Sequence, residues 1–325
     1  MPQIKFAIPK GSLEEATFKI LEKSWTKVTR MSRTYRVLLD DPQIKVKMVR
    51  PQEIPNLVYE GLYDVGITGN DWVDETKAKV ESILDLEYGR IKLVFAIPEN
   101  FHFKNLDSMI TAYAKKKKIL RISSEYLTTT SKYIKQCKSY KKFYGTKDPM
   151  VVTPWLRLGK NKNIQIHLSF GATEAKPPED VDAIMDVTET GTTLKQNQLK
   201  LIDQVLESTA HLIANKKSLN DKAKREKIFD IVTLLRGAVL GKKHLHIYVN
   251  VREKNLKKLL KEIPSLKRPT VSPLSEKGWY GVNTIILKSE FYKVVPKLRK
   301  IAQGLVVHEP RQILPLEEIK RDEEN

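Results

Sequence analysis

Thr188, Glu189, Thr190, Gly191, Thr192 and Thr193 set hydroxyl side chains around one glycine, and Asp186 stands just before them. Hydroxyl and backbone N–H donors suit phosphate oxygens, and glycine lets the backbone approach them closely. Two carboxylates, Asp186 and Glu189, beside a phosphate cradle would repel the ligand unless Mg2+ or sugar hydroxyls reconcile the charges. A phosphorylated sugar with vicinal hydroxyls satisfies both halves of such a site. A threonine-rich helix cap with no ligand would look similar on this stretch alone. A second candidate anion site is Lys10-Gly11, which follows the apolar run 3–8, with Ser12 and Glu15 at capping-box spacing. A plain strand-to-helix turn is the alternative there.

These residues need elements to hold them. VDAIMDV at 181–187 reads as a buried strand feeding the threonine loop. Leu194, Leu201, Ile202 and Val205 mark one face of a helix expected to run to about Ala214, its amino end offering unpaired N–H groups and the positive end of its dipole. Strands are predicted at 32–39, 44–49, 64–68, 91–98, 119–123 and 164–170, alternating with short helices. That pattern predicts an α/β fold with mainly parallel sheets and ligands at the strand ends, where Lys10, Arg50 and Asp71 fall. The strand at 91–98 is expected to cross into a second lobe and residue 181 to return the chain to the first sheet. Residues 139–163 read as an exposed insertion with Trp155 and Leu156 tucked in. The expected domains are lobe I at 1–90 and 182–215, lobe II at 91–181, a connecting helix at 216–243 capped by Ser218, and a C-terminal domain at 244–325. The last reads as βαββαβ, the ferredoxin-like order, and by analogy serves regulation or assembly.

Composition narrows the classes. The chain has 325 residues, and 58 Lys+Arg against 39 Asp+Glu give a formal net charge of +19. Such an excess favours polyanionic partners, although lysine blocks such as 115–118 also suit a solvated surface. With no zinc-ligand, RNA-binding-sheet or basic-heptad pattern, no dedicated nucleic-acid module is expected. No apolar run approaches the ~20 residues that span a bilayer, and the opening residues hold no apolar signal segment. The single cysteine, Cys137, excludes an internal disulfide and fits a reducing cytoplasm. It lies in a lysine-rich stretch that could lower its pKa, without a His or Asn partner for nucleophilic work. His244 and His246 share a strand face but lack a third metal ligand. His211 is expected to be packed on the helix after the loop.

Six collinear stretches carry a resemblance: IPKGSLEEAT at 8–17, DDPQIKVKMVRPQEIP at 40–55, DVGITGNDW at 64–72, DLEYGRIKLVFAIP at 85–98, SFGATEAKPPEDVDAIMDVTETGTTLKQNQL at 169–199 and RPTVSPL at 268–274. The sequence resembles the ATP phosphoribosyltransferases in their long form. The resemblance implies a two-lobed, periplasmic-binding-protein-like catalytic region and a ferredoxin-like (ACT/PII-like) regulatory domain. It implies transfer of the 5-phosphoribosyl group from phosphoribosyl pyrophosphate to N1 of ATP, releasing pyrophosphate, with Mg2+ as cofactor and no covalent nucleophile. Thr188, Thr190, Gly191, Thr192 and Thr193 inherit the sugar-phosphate loop, and Asp186 and Glu189 the ribose hydroxyls and any metal. Lys10, Gly11, Arg33, Arg50, Asp71, Tyr88 and Gly89 become candidates for ATP or pyrophosphate. Asn250, Leu266 and Thr270 match a pocket for inhibitory histidine, and a homo-hexamer built from dimers is implied. The rival readings are a non-catalytic solute-binding protein, which shares the two-lobed architecture, and a basic nucleic-acid binder.

Overall fold

A computed structural model describes residues 3–31, 34–264, 268–314 and 316, so Arg33 and Leu266 lie outside the described residues. Two compact units emerge, Met1–Lys5 with Glu15–Lys47 and Leu219–Asn325, and Phe6–Glu14 with Met48–Ser218. The chain begins β1 (Ile4–Pro9), α1 (Glu14–Ser24), β2 (Val28–Arg30), β3 (Arg36–Leu39), β4 (Ile44–Val49), α2 (Ile54–Tyr59), β5 (Val65–Gly69), α3 (Asn70–Thr76) and β6 (Glu81–Asp85). There follow β7 (Ile91–Pro98), α4 (Leu106–Lys115), β8 (Leu120–Ser124), α5 (Leu127–Gln136), α6 (Lys138–Tyr144), β9 (Pro149–Val152), β10 (Arg157–Leu158) and β11 (Asn161–Leu168). A 3-10 turn at Thr173–Ala175 precedes β12 (Ala183–Thr188), α7 (Thr192–Gln196), β13 (Leu199–Ser208) and β14 (Ala210–Ala214).

The first sheet has the order β2-β3-β4-β1-β5-β14-β6 and the second β10-β9-β11-β8-β12-β7-β13. β1 runs parallel to β5, and β8 parallel to both β11 and β12. The core of the second sheet includes Phe95, Ile97, Met109, Ile122, Ile134, Ile166 and Met185, all 0% exposed. Two sheets of this kind, joined by the short connections from β6 to β7 and from β13 to β14, give the two-lobed periplasmic-binding-protein-like layout.

Three expectations need correction. The helix expected across 194–214 is five residues of α7 followed by β13 and β14. β13 pairs with β7 through register shifts between Leu201 and Asp203 and between Gln204 and Leu206. Each shift adds a residue to the alternation, so Leu201, Ile202 and Val205 fall at spacings that mimic a helix. His211 accordingly sits on β14. Second, β12 joins the second sheet between β7 and β8, and the chain returns to the first sheet only at β14. Ala183, Ile184 and Met185 are all fully buried, a two-faced apolar run that suits the interior of either sheet. Third, residues 139–163 are no irregular insertion but contain α6, β9, β10 and the start of β11. Trp155 is 72% and Leu156 45% exposed, while Tyr140 is the aromatic that fills the core.

Two caps also differ. Glu15 reaches Arg30 at 2.8 Å, and it is the Glu14 carboxylate that accepts from the Gly11 N–H. α8 (Lys216–Asn220) and α9 (Lys222–Lys243) replace the single connecting helix, and Asp221, not Ser218, caps α9 through the N–H groups of Ala223 and Lys224. The Ser218 hydroxyl donates to Asp64.

The C-terminal part follows the expected order, β15 (His244–Arg252), α10 (Glu253–Glu262), β16 (Thr270–Pro273), β17 (Trp279–Leu287), α11 (Lys288–Leu298) and β18 (Ala302–His308). Its sheet order β16-β17-β15-β18, antiparallel at each pairing, is ferredoxin-like. Leu245, Ile247, Val249 and Val251 line one face of β15 and pack with Leu259, Val282, Val294 and Leu298, as strict alternation requires.

Candidate active site

The end of β1 builds the first half of the site. The Lys10 N–H donates to the Val49 carbonyl at 2.9 Å, which ties this turn to the end of β4 and so to Arg50. Gly11 has φ +110°, and a Cβ there would lie 3.6 Å from Arg50 Nη1. Gly89 (φ +61°) closes over the same turn, since a Cβ on it would lie 2.3 Å from Leu13 Cδ2. Glycine adopts that conformation without strain, and a side chain there would have to displace the tip of Leu13. Tyr88 is buried, its carbonyl accepting from the Ala210 N–H at 2.9 Å. Lys10, Gly11, Arg50, Tyr88 and Gly89 are therefore brought together, two cations beside a tightly packed backbone.

Asp71 begins α3 but does not reach outward. It is 5% exposed, and its carboxylate accepts from the Ser208 hydroxyl at 2.6 Å and the Tyr126 hydroxyl at 2.7 Å. Tyr126 stacks on Trp72 with ring centroids 4.4 Å apart. Burial, and then the Asp71 carboxylate, push the Tyr126 phenol far above its usual range, so it remains a donor. One turn along α3, the Glu75 carboxylate accepts from the N–H groups of Thr128 and Thr129 at 2.8 and 2.9 Å and from the Thr129 hydroxyl at 2.8 Å. It thus caps α5, whose own N-cap residue, Tyr126, makes no side-chain cap. Asp71, expected at the nucleotide, is held at the junction of the two lobes.

The threonine loop follows β12. The Thr188 hydroxyl accepts from the Gly191 N–H at 2.8 Å, which bends the chain back at Gly191 (φ +80°). Thr190 and Thr192 hydroxyls lie 2.8 Å apart, and with Glu189 and Thr193 they are exposed. Because α7 is five residues long, this loop offers hydroxyls and loop N–H groups and not the dipole of a long helix. Asp186 is held at the end of β12 by the Val187 N–H, 2.7 Å from Oδ1. Burial, and then the Glu174 and Glu125 carboxylates, push its pKa up to about 6, against hydrogen bonds from Val187 and Thr173. Burial also raises Glu125, against the lowering influence of the Gln52 side chain, two residues after Arg50, and of Lys176.

Glu125, Tyr126, Glu174, Lys176 and Ser208 escaped the sequence reading. Glu125 and Tyr126 follow a predicted strand, so the strand-end rule that selected Lys10 and Arg50 could have found them. Ser208 could not be placed while β13 was read as a helix. Among the described residues no group of three or more His, Cys, Asp and Glu side chains converges as a metal cage. His246 is hydrogen-bonded to Asn283 and stacks on His308, a packing role. Burial, followed by Asp107 and Asp203, pushes the Cys137 thiol up to about 12, contrary to the lowering expected from its lysines.

On the C-terminal sheet, the register places Asn250 opposite Gly281 and Ser272, and Thr270 opposite Asn283 and Tyr248. Asn250 and Thr270 therefore share the face turned away from α10 and α11. Tyr248 lies across Gly281, where a Cβ would be 2.3 Å from its hydroxyl. Asn250 Oδ1 is buried without a hydrogen-bond partner among the described residues.

A two-lobed α/β protein with a hydroxyl-rich, glycine-bent loop after a buried strand and an appended ferredoxin-like domain is the class these features define. The family model described as HisG: ATP phosphoribosyltransferase matches residues 50–237, and that described as HisG, C-terminal domain matches 242–309. An ATP phosphoribosyltransferase of Solibacter usitatus is 38% identical over 94% of this chain and 97% of its own length. One of Pelotomaculum thermopropionicum is 33% identical over 95% and 98%. A solved ATP phosphoribosyl transferase (HisG:HisZ) complex from Thermotoga maritima is similar at 25% identity and TM-score 0.55, covering 72% of this chain and 96% of that one. The chain belongs to the ATP phosphoribosyltransferase family, in its long form with the C-terminal domain, and is a transferase of the first step of histidine biosynthesis.

Proposed function

We propose that the protein transfers the 5-phosphoribosyl group of phosphoribosyl pyrophosphate to N1 of ATP in the cleft between the two lobes, under feedback control by histidine. The observation that carries the reading is the pairing of a hydroxyl-lined, glycine-bent loop with a desolvated carboxylate, Asp186, at one strand end. Thr190, Thr192, Thr193 and the Gly191 backbone would bind the sugar 5-phosphate, and Asp186 and Glu189 the ribose hydroxyls. Lys10, Gly11 and Arg50 would take the diphosphate or the ATP phosphates, with Tyr88 and Gly89 supporting them. Adenine N1 attacks the anomeric carbon as the C–O bond to pyrophosphate breaks, and no protein group becomes acylated or glycosylated. The chain's work is alignment and stabilisation of charge on the leaving diphosphate.

Asp186 is desolvated beside Glu174 and Glu125, and such hard oxygen donors fit Mg2+ shared with a diphosphate but not a cage of protein ligands alone. Asp186 and Glu189 would hold the ion, which when bound would neutralise the leaving group.

For the regulatory half, the orphaned Asn250 Oδ1 supports a ligand with an N–H donor on the Asn250–Thr270 face, such as the imidazole or amine of histidine. Assembly as a homo-hexamer built from dimers in the cytoplasm completes the proposal, and the chain has no helix long and apolar enough to cross a membrane among its described residues.

The test is product formation from ATP, phosphoribosyl pyrophosphate and Mg2+ with pyrophosphatase present, followed by absorbance, with and without histidine. A folded protein that forms no product returns the solute-binding reading. Thr270→Ala should relieve histidine inhibition with turnover retained, and persisting inhibition would move the effector site elsewhere.

A further inference from the structure

β18 ends at His308, and the residues that follow form an irregular strap that returns to α9 and α1. The Ile313 N–H donates to the Gly237 carbonyl at 3.0 Å, and Gln312 Nε2 to the Leu234 carbonyl at 3.0 Å, so the strap runs along α9. Arg311 reaches the other helix. Its Nε donates to the Lys23 carbonyl at 2.9 Å, and its Nη2 to the Glu22 carbonyl at 2.6 Å and to the Trp25 carbonyl. These carbonyls close α1, where backbone acceptors lack partners within the helix and form the negative end of its dipole. A guanidinium there is a charged cap.

α9 is shaped to receive this segment. Gly237 and Gly241 lie one turn apart on one face of its C-terminal half, although glycine is a poor helix former. A Cβ on Gly241 would lie 2.9 Å from the backbone oxygens of both Pro310 and Arg311, and one on Gly237 would lie 2.3 Å from Leu314 Cδ2. The first contact is with backbone and is relieved only by moving the strap. The second is with the tip of a flexible side chain. Close approach of the strap accounts for both glycines.

The other end of α1 stands at the candidate active site. Its first residue, Glu14, accepts from the Gly11 N–H at 3.3 Å and pairs with Lys10 at 3.8 Å. Eleven residues at about 1.5 Å each make α1 a rod of about 16 Å between that turn and Arg311. Where the strap begins, Lys288 of α11 holds Glu309 at 2.7 Å. Before it, β18 pairs with β15 and sets Gly304 opposite Asn250 of the proposed effector face.

We propose that the strap at 309–314 is the coupling element between the effector face and the Lys10-Gly11 turn, with Arg311 fastening α1 to the end of β18. The inference rests on the histidine control proposed above. A C-terminal domain that shifts on α9 carries the strap, and with it the capped end of α1. A domain whose strap is detached shifts without α1. Two variants detach it from opposite sides. Arg311→Met removes the cap and keeps a long side chain. Gly241→Ala leaves every strap residue in place but fills the space their backbone occupies, while alanine favours the helix itself.

The experiment compares the full-length wild type with Arg311→Met, Gly241→Ala and Gly237→Ala. Turnover of ATP and phosphoribosyl pyrophosphate is measured without histidine and at saturating histidine. Histidine binding is followed by calorimetry, and thermal unfolding checks each fold. Without histidine, all four should turn over within about twofold of one another. At saturating histidine the wild type should lose most of its turnover, while Arg311→Met and Gly241→Ala keep about half of theirs or more. Both should still bind histidine, since neither substitution lies on the Asn250–Thr270 face. Gly237→Ala, which meets only a side-chain tip, should stay inhibited. Either detaching variant suffices if the other does not fold. Detaching variants that no longer bind histidine would place the strap in the effector site and overturn its coupling role. A wild type that forms product but ignores saturating histidine ends the effector reading and the coupling together. An inhibited wild type with equally inhibited variants ends the coupling alone.

Discussion

The Tyr126 hydroxyl donates a hydrogen bond to Asp71 Oδ2 at 2.7 Å, from just after β8 in one lobe to the start of α3 in the other. Ser208, on the strand just before the chain crosses back, holds the second carboxylate oxygen at 2.6 Å. Three segments distant in sequence are thereby pinned at the strand ends where the substrates would meet.

Removing one of these donors should loosen that junction. Tyr126→Phe keeps the ring stacked on Trp72 and deletes only the bond to a buried carboxylate. A hydrogen bond to a charged group contributes about 1.5–3 kcal/mol, so urea unfolding should show a loss of that order. A loss well below about 0.5 kcal/mol would mean that Ser208 alone holds Asp71.

The threonine loop makes the opposite prediction. Thr192 is exposed, and its hydroxyl meets Thr190 rather than the core. Thr192→Val should leave the unfolding midpoint unchanged and raise KM for the phosphoribosyl donor by about 10-fold, from a lost bond worth roughly 1–3 kcal/mol to a charged phosphate. Steady-state kinetics with ATP saturating would check it, and unchanged KM would take Thr192 out of the site.

That loop was legible in the sequence because its chemistry is local. Hydroxyls, glycine and carboxylates stand within eight residues, and a short apolar run before them reads as a strand in any context. The ferredoxin-like domain was legible for the same reason, since β15 alternates without interruption and its helices carry one apolar face. β13 defeated the reading because its two register shifts imitate helical spacing. The sheet that β12 joins and the inward turn of Lys176 are products of strand order. No spacing along the chain encodes which strands become neighbours.

Asp186 predicts a dependence of stability on pH. Its folded pKa of about 6 lies above the ordinary 3.8, so the folded state binds the proton more tightly than the unfolded chain does. The ligand-free fold therefore suffers no penalty below about pH 4, and an increasing one as pH rises through 6. Allowing for partial exposure, the full penalty is on the order of 2 kcal/mol. Asp186→Asn should gain about that much on wild type between pH 4 and pH 7.5, measured by denaturant unfolding with a chelator present. A stability difference that stays constant across this range would contradict the placement of Asp186 among carboxylates in a desolvated site.

Cys137 supplies a test of the second lobe's packing that is independent of substrate. Burial first, and then the Asp107 and Asp203 carboxylates, push the thiol up to about 12, while Lys141 opposes weakly. The Sγ hydrogen points to the Tyr133 carbonyl 3.7 Å away, within α5. Only the thiolate attacks an alkylating agent, and at pH 7.5 this group holds far less of it than an ordinary cysteine of pKa near 8.5. Iodoacetamide should therefore modify the folded protein about 100-fold or more slowly than the urea-unfolded chain, followed by intact mass. Fast modification of the folded protein would show that the lysines dominate this thiol after all, and that the carboxylates of α4 and β13 do not face it.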